Sequence, residues 1–195
     1  MTTTCLPQPR PVALRRSWLF TAGLDKVAHR RALDSGADVV VADLEEFTAV
    51  LDRPLAREHI VELMAHCRAR GTVGAVRINL LANDGLQDLQ VVMRGAPVAI
   101  FLPYVESAEQ IRALDRAITD YEARFALVAG STEIVPTLES ALGVIPAQEI
   151  LLASARTSAC LLAAEDLSAD LGAERGPDST ELNHLRARFL VDCVA

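Results

Sequence analysis

The sequence predicts an α/β protein, a parallel sheet with helices packed outside it. Strand-like and helix-like segments alternate about six times, the order expected of repeated βαβ units. The strand-like segments are near-continuous apolar runs without polar alternation, as in strands buried on both faces. Aromatic residues make up only 4% of the chain against 51% hydrophobic residues, so the core must be built from Ala, Leu and Val.

Residues 1–15 read as an N-terminal arm, and residues 16–195 as a single domain. Trp18 to Thr21 is a short strand turning at Gly23. Asp25 to Ser35 is helical and stops at Gly36. Asp38 to Asp43 is the second strand. Pro54 to Arg70 is a helix with proline in its first turn and Gly71 at its end. Val73 to Asn79 and Ala99 to Pro103 are the third and fourth strands, and a helix from about Ser107 to Ala123 follows. Phe125 to Ala129 reads as strand or loop. Ile134 to Leu138 is the fifth strand, Pro146 to Ala153 a helix, Ala159 to Ala164 the sixth strand. Ser179 to Val194 is a closing helix capped by Ser179 or Thr180.

Composition excludes several classes of function. A net charge of −7 over 195 residues argues against nucleic acid and anionic membranes as partners, since both select clustered Lys and Arg. No apolar run reaches the roughly 18 residues of a membrane span. Met1 to Arg16 holds three prolines and no apolar run, unlike a signal peptide. Cys5, Cys67, Cys160 and Cys193 form no CxxC pair and read as reduced thiols of a cytoplasmic protein.

Polar residues gather where strands end: Asp43, Glu45 and Glu46; Arg77 and Asn79; Glu106; Glu139; Glu165 and Asp166. A (β/α) barrel and an open doubly wound sheet both bind ligands at that end, but no GxGxxG or Walker loop follows the first strand. Glu139 and Asp166, at the ends of consecutive strands, are placed to share one hard cation of the Mg2+ kind; alternatively each caps the following helix. Glu165 should point the other way from Asp166. Arg77 inside an apolar strand reads as a fork for a substrate carboxylate, as the centre of an ion pair with Asp43, Glu45 or Glu46, or as both. Arg15 and Arg16 precede the first strand, as a phosphate contact or as solvated surface. His29, His59, His66 and His184 all fall on helices, which leaves no histidine base. The absence of a G-x-S-x-G elbow argues against a serine hydrolase.

Several segments resemble one known family in order. Arg16-Ser17-Trp18-Leu19-Phe20-Thr21-Ala22-Gly23 resembles the R-S-x-L-F-x-P-G opening of the citrate lyase β-subunit-like family, within the HpcH/HpaI aldolase superfamily. Ala37-Asp38 through Asp43-Leu44-Glu45-Glu46 is similar to A-D-x-x-x-x-D-L-E-D, and Val76-Arg77-Ile78-Asn79 to V-R-I-N. Pro103-Tyr104-Val105-Glu106-Ser107 resembles P-K-V-E-S. Pro136 to Gly143 resembles P-x-I-E-T-A-x-G, and Ala163-Ala164-Glu165-Asp166-Leu167 resembles F-G-A-E-D-L.

The resemblance implies a TIM-type (β/α) barrel short of its last two strand–helix units. It implies a Mg2+-dependent carbon–carbon lyase that cleaves a 3-hydroxyacyl-CoA of the citryl-CoA, malyl-CoA or citramalyl-CoA type into a 2-keto acid and acetyl-CoA. Glu139 and Asp166 would bind the metal. Arg77 would hold the keto-acid carboxylate, with Glu45 and Glu46 supporting the site. Arg16 would lie near substrate or CoA, and backbone N–H groups of Ala141, Leu142 and Gly143 would add anion contacts. The chain departs from the pattern at Ala22, Glu46, Tyr104 and Ala163-Ala164; Tyr104 replaces a lysine suited to CoA phosphate. A sheet lacking two strands leaves edges that favour a homo-oligomer. Two rival readings follow: a non-catalytic binding or assembly subunit, and a thioester hydrolase or CoA-free aldolase using the same site.

Overall fold

The computed structural model of the chain describes residues 10–174 and 176–195. Cys5 and residues 1–9 of the expected arm lie outside them. Six strands form one parallel sheet: β1 (Trp18–Ala22), β2 (Val39–Asp43), β3 (Val73–Arg77), β4 (Ala99–Leu102), β5 (Glu133–Leu138) and β6 (Leu161–Leu162). Their spatial order is the order in sequence. There is no reversal of strand order, and therefore no switch point of the doubly wound kind. The helices between them are α1 (Lys26–Asp34), α2 (Arg53–Arg70), α3 (Leu86–Val92), α4 (Ala108–Arg124), α5 (Ala141–Val144), α6 (Ala147–Leu151), α7 (Ala164–Asp170) and α8 (Asn183–Val194).

Local chemistry explains the element ends. The Asp25 carboxylate accepts the N–H groups of Val27 and Ala28 at the start of α1. Pro54 lies in the first turn of α2, and Gly71 ends that helix at φ 70°. Ser107 and Gln110 form a reciprocal capping box on α4.

The sheet has two apolar faces. Val40, Ala42, Val76, Ile100, Ile134 and Leu138 pack outward against the helices. Val39, Val41, Val73, Ala75, Ala99, Phe101 and Val135 form a second cluster on the opposite face, with Trp18, Phe20 and Leu161 against it. The rings of Trp18 and Phe20 on β1 each meet Phe101 on β4 edge-on at 5.5 Å between centroids. In a flat sheet those strands would stand about 14 Å apart, so the sheet curls around its inner face. Arg15 crosses the same interior to make a bidentate ion pair with Glu133 on β5, at 2.6 and 3.0 Å. The expected loose arm is therefore tied down at its last residue, at the end where the strands begin.

Several boundaries differ from the sequence reading. The sixth strand shrinks to two residues because Ala164 already starts α7. Phe125–Ala129, left open between strand and loop by the sequence, is loop. The expected helix at 146–153 is the shorter α6, and a separate one-turn helix, α5, precedes it. The last helix begins at Asn183 after a 3-10 turn, and neither Ser179 nor Thr180 caps it through a side chain. Among the described residues no helix is long and apolar enough to cross a membrane, and Cys67, Cys160 and Cys193 are free thiols.

Candidate active site

The inner face turns polar where the strands end. Residues two apart on a strand share a face, so Asp43 continues the row of Val39 and Val41, Arg77 that of Val73 and Ala75, and Glu139 that of Val135 and Thr137. Asp43 and Arg77 are register partners on neighbouring strands. Their side chains join directly, Arg77 Nε donating to Asp43 Oδ1 at 2.8 Å and Nη2 to Oδ2 at 2.6 Å. Nη2 also donates to Glu46 Oε2 at 2.8 Å, and Nη1 stands 3.4 Å from Glu45 Oε2. The rings of Phe20 and Phe47 lie over the guanidinium at 5.2 and 5.7 Å. Burial works against the Arg77 charge, but the bonds to Asp43 and Glu46 outweigh it and raise its pKa. Of the two readings of Arg77 given by sequence, the ion pair is present, and with all three acidic residues.

The acidic loop is held rigidly. Asp43 accepts the backbone N–H groups of Glu45 and Phe47. Arg53 donates to the carbonyls of Leu44 and Glu45 while pairing with Asp84. Asn79 donates to the Leu44 carbonyl at 3.2 Å and to Asp88 at 2.8 Å. Asp88, fully buried, also accepts the Asn79 backbone N–H and the Arg57 guanidinium, each at 2.8 Å. This clamp lay beyond sequence reasoning, because α3 carries no strong periodic signal and follows an irregular turn, Leu81–Gly85.

Glu139 follows β5 and is 4% exposed. Its Oε1 accepts the Tyr104 N–H at 3.1 Å. Tyr104 has φ 48°, a left-handed conformation costly for a side chain of its size and held only by its surroundings. Here Gln110 Nε2 donates to the Tyr104 carbonyl. Burial pushes the Glu139 carboxyl up to about 7, the Tyr104 N–H opposing and the charges of Asp166 and Glu45 adding to it. Glu45 is raised too, first by burial and then by Asp43, Glu46 and Asp166, against the pull of Arg77. Tyr104 is raised by burial and by Glu139, Glu45, Asp166 and Glu46. These shifts bring five carboxylates and one phenol into a single electrostatic neighbourhood.

Three expected placements need correction. Asp166 does not end a strand: it lies exposed in the first turn of α7, because the helix begins as soon as β6 stops. It still lies near the cluster, since its charge is felt at Glu139, Glu45 and Tyr104. Arg16 sits at the opposite end of the sheet, its backbone N–H on Asp38 where β2 begins, about one strand length from the cluster. It stands apart from this site. The backbone groups at 141–143 are largely occupied: the Ala141 N–H donates to Asp170 at 2.8 Å and the Gly143 N–H to Ser140. Gly143 is needed because a Cβ there would lie 2.4 Å from the Val105 carbonyl oxygen. Leu142 is 65% exposed. Glu106 serves this turn as well, accepting the Ser140 hydroxyl at 2.7 Å.

Among the described residues no trio of His, Cys, Asp and Glu is arranged to hold a metal ion. Two carboxylates, Glu139 and Asp166, remain as donors beside the Arg77 network. That set suits a hard cation that keeps several waters or takes substrate oxygens, which is how Mg2+ binds. A cation would also relieve the crowding of negative charge that raises Glu139.

A family model described as HpcH/HpaI aldolase/citrate lyase matches residues 16–195. The chain belongs to this family. As a member of the HpcH/HpaI aldolase/citrate lyase family it is 32% identical over 184 residues to the citrate lyase subunit beta of Escherichia coli K12, covering 94% of this chain and 61% of that protein. It is 30% identical over 190 residues to the L-malyl-CoA/beta-methylmalyl-CoA lyase of Rhodobacter capsulatus, covering 90% and 57%. Its fold is similar to the citrate lyase beta subunit from M. tuberculosis complexed with oxaloacetate and magnesium, with TM-score 0.70, 28% identity and coverage of 92% and 75%. It is also similar to RipC from Yersinia pestis, with TM-score 0.72, 28% identity and coverage of 94% and 73%. The chain spans about three fifths of the length of the curated relatives it matches.

Proposed function

We propose that the chain carries the catalytic strand ends of a Mg2+-dependent carbon–carbon lyase. The reading takes its curled sheet as six of the eight strands of a TIM-type barrel. The substrate class is a 3-hydroxyacyl-CoA bearing a carboxylate beside the hydroxyl, and the products are a 2-keto acid and acetyl-CoA. One observation carries this reading: Glu139, buried at a strand tip, is pushed up to about 7 by burial with Asp166 and Glu45 facing it, the charge balance of a carboxylate pair prepared for a cation.

Glu139 and Asp166 would hold the ion, which when bound would supply Lewis-acid polarisation. Arg77, at the neighbouring strand end, grips the substrate carboxylate and steadies charge as it shifts. Glu45, raised above the ordinary carboxylate range, is the group assigned to take the hydroxyl proton. The bond between the carbinol carbon and the thioester α-carbon breaks, its electron pair passes to the α-carbon, and that carbon gains a proton to give acetyl-CoA. Tyr104 orients Glu139 through its backbone N–H.

Product analysis with malyl-CoA, citramalyl-CoA and free malate tests this reading. Wild-type protein should release a 2-keto acid from a thioester only when Mg2+ is present, and Glu139→Ala and Asp166→Ala should abolish that release. Thioester hydrolysis without carbon–carbon cleavage, or cleavage of free malate, would redirect the assignment. The rival reading, a non-catalytic subunit, draws on the pairing of Arg77 with three carboxylates of the chain itself. It requires that calorimetry find neither Mg2+ nor oxaloacetate binding.

A further inference from the structure

Each edge at which Arg77 could grip a carboxylate with two N–H groups already faces a carboxylate of the chain. The guanidinium lies over the rings of both Phe20 and Phe47. Asp43 holds the Nε and Nη2 side, and Glu45 and Glu46 meet the Nη1 and Nη2 edge. Bidentate capture of a carboxylate needs two adjacent N–H groups on one edge. One of the existing partners must therefore leave before Arg77 can hold a ligand.

The partners are not equally mobile. Asp43 is fully buried and fixes the loop by accepting two backbone N–H groups, so it cannot leave without unfolding the turn. The Glu45 backbone is pinned through its N–H on Asp43 and its carbonyl on Arg53, and its side chain is only 22% exposed. The Glu46 side chain is 59% exposed. Its backbone neighbours are both anchored to Asp43, so a rotation of its side chain alone would free the edge. The family pattern has aspartate at this position; the extra methylene gives this chain a carboxylate that reaches Nη2.

We propose that Glu46 is an internal stand-in for the substrate carboxylate, covering the outer edge of Arg77 until a 2-keto acid displaces it. The identity of the displacing ligand rests on the lyase reading; the cover itself does not. Glu46 then sets substrate affinity, because the protein is binding-competent only in the fraction of molecules whose Arg77 edge is open.

The test uses Glu46→Asp and Glu46→Gln in the full chain, with two measurements. Calorimetry with oxaloacetate and Mg2+ should show affinity about two- to fivefold tighter in both variants, the range a half-exposed ion pair supports. Phenylglyoxal modification, read at Arg77 by peptide mass spectrometry without metal or ligand, should be faster in both variants than in wild type. If wild type binds oxaloacetate but neither variant binds it more tightly or labels faster, the cover is refuted and the lyase reading stands. If no form binds oxaloacetate yet both variants label faster, the lyase reading falls and the cover stands. Unchanged labelling with no binding in any form would overturn both.

Discussion

Replacing Glu139 with glutamine should flatten the pH dependence of stability. The carboxyl of Glu139 is moved from 4.5 to about 7 on folding. Between those values the folded protein keeps a proton that the unfolded chain has released. Raising the pH through that window therefore lowers stability, and the loss is complete once pH exceeds the folded value. At about 1.4 kcal/mol per pH unit, a shift of this size corresponds to about 3 kcal/mol. That is a large share of the total stability of a typical domain. Urea denaturation of the metal-free protein at pH 5 and pH 8 measures it, with chelator present. His29 titrates with the opposite sign, because burial lowers its pKa and its contribution is lost as pH falls below about 6.5. That contribution is common to both proteins and cancels in the difference. Wild type should lose about 2.5 kcal/mol more than Glu139→Gln on going from pH 5 to pH 8, since part of the window is already passed at pH 5. Equal losses would refute the claim that this carboxyl is held high by its surroundings. Saturating Mg2+ should restore much of the wild-type stability at pH 8 and little of the variant's.

Two further substitutions probe the frame around the site. Asp88→Ala strands the Arg57 guanidinium and the Asn79 amide in a fully buried position, and should cost about 3–5 kcal/mol in urea denaturation. Asp84→Ala, which removes a half-buried partner of Arg53 and Arg57, should cost less than about 1 kcal/mol; similar losses would show that the clamp is not the buried pair. Gly143→Ala forces a methyl group against the Val105 carbonyl and should cost about 1–3 kcal/mol. Because Val105 follows Tyr104, which holds Glu139, the same variant should bind Mg2+ more weakly by calorimetry; unchanged affinity would separate the turn from the cation site.

How much of this was legible in the sequence depends on whether a residue acts through its own neighbours in the chain. The parallel strands were readable because burial on both faces writes itself as unbroken runs such as Val39 to Ala42. The ion pair of Arg77 was readable because a charge in such a run needs a partner, and acidic residues end the strand next in sequence. What escaped depends on contacts between distant segments. Nothing near Phe20 or Phe47 announces that both rings cover one guanidinium, and that geometry exists only because the sheet curls. Tyr104 looks like a lost lysine in sequence, yet its backbone N–H, not its side chain, bonds Glu139. Arg16 was misplaced because a motif gives order along the chain and not the end of the strand on which a residue stands. Gly143 was taken as an anion contact when close approach of the Val105 carbonyl already explains the glycine.

The charges at the strand ends lead to a last prediction. Asp43, Glu45, Glu46, Glu139 and Asp166 gather at the strand ends near Arg77. Three of them surround Arg77 at hydrogen-bond or ion-pair distance, and among the described residues Glu139 and Asp166 have no ion-pair partner of their own. A 2-keto acid brings further negative charge into this field. Without a divalent ion its carboxylate meets repulsion from both unpaired side chains, and Arg77 alone, already neutralised, cannot offset it. Oxaloacetate binding should therefore disappear in chelator rather than merely weaken. Linkage requires the converse: oxaloacetate must tighten Mg2+ binding by the same factor by which Mg2+ tightens oxaloacetate binding. Paired calorimetric titrations, each ligand with and without the other, measure both factors. Binding of oxaloacetate at equal strength with and without Mg2+ would mean that Arg77 works independently of Glu139 and Asp166, and that the strand ends are two separate sites rather than one.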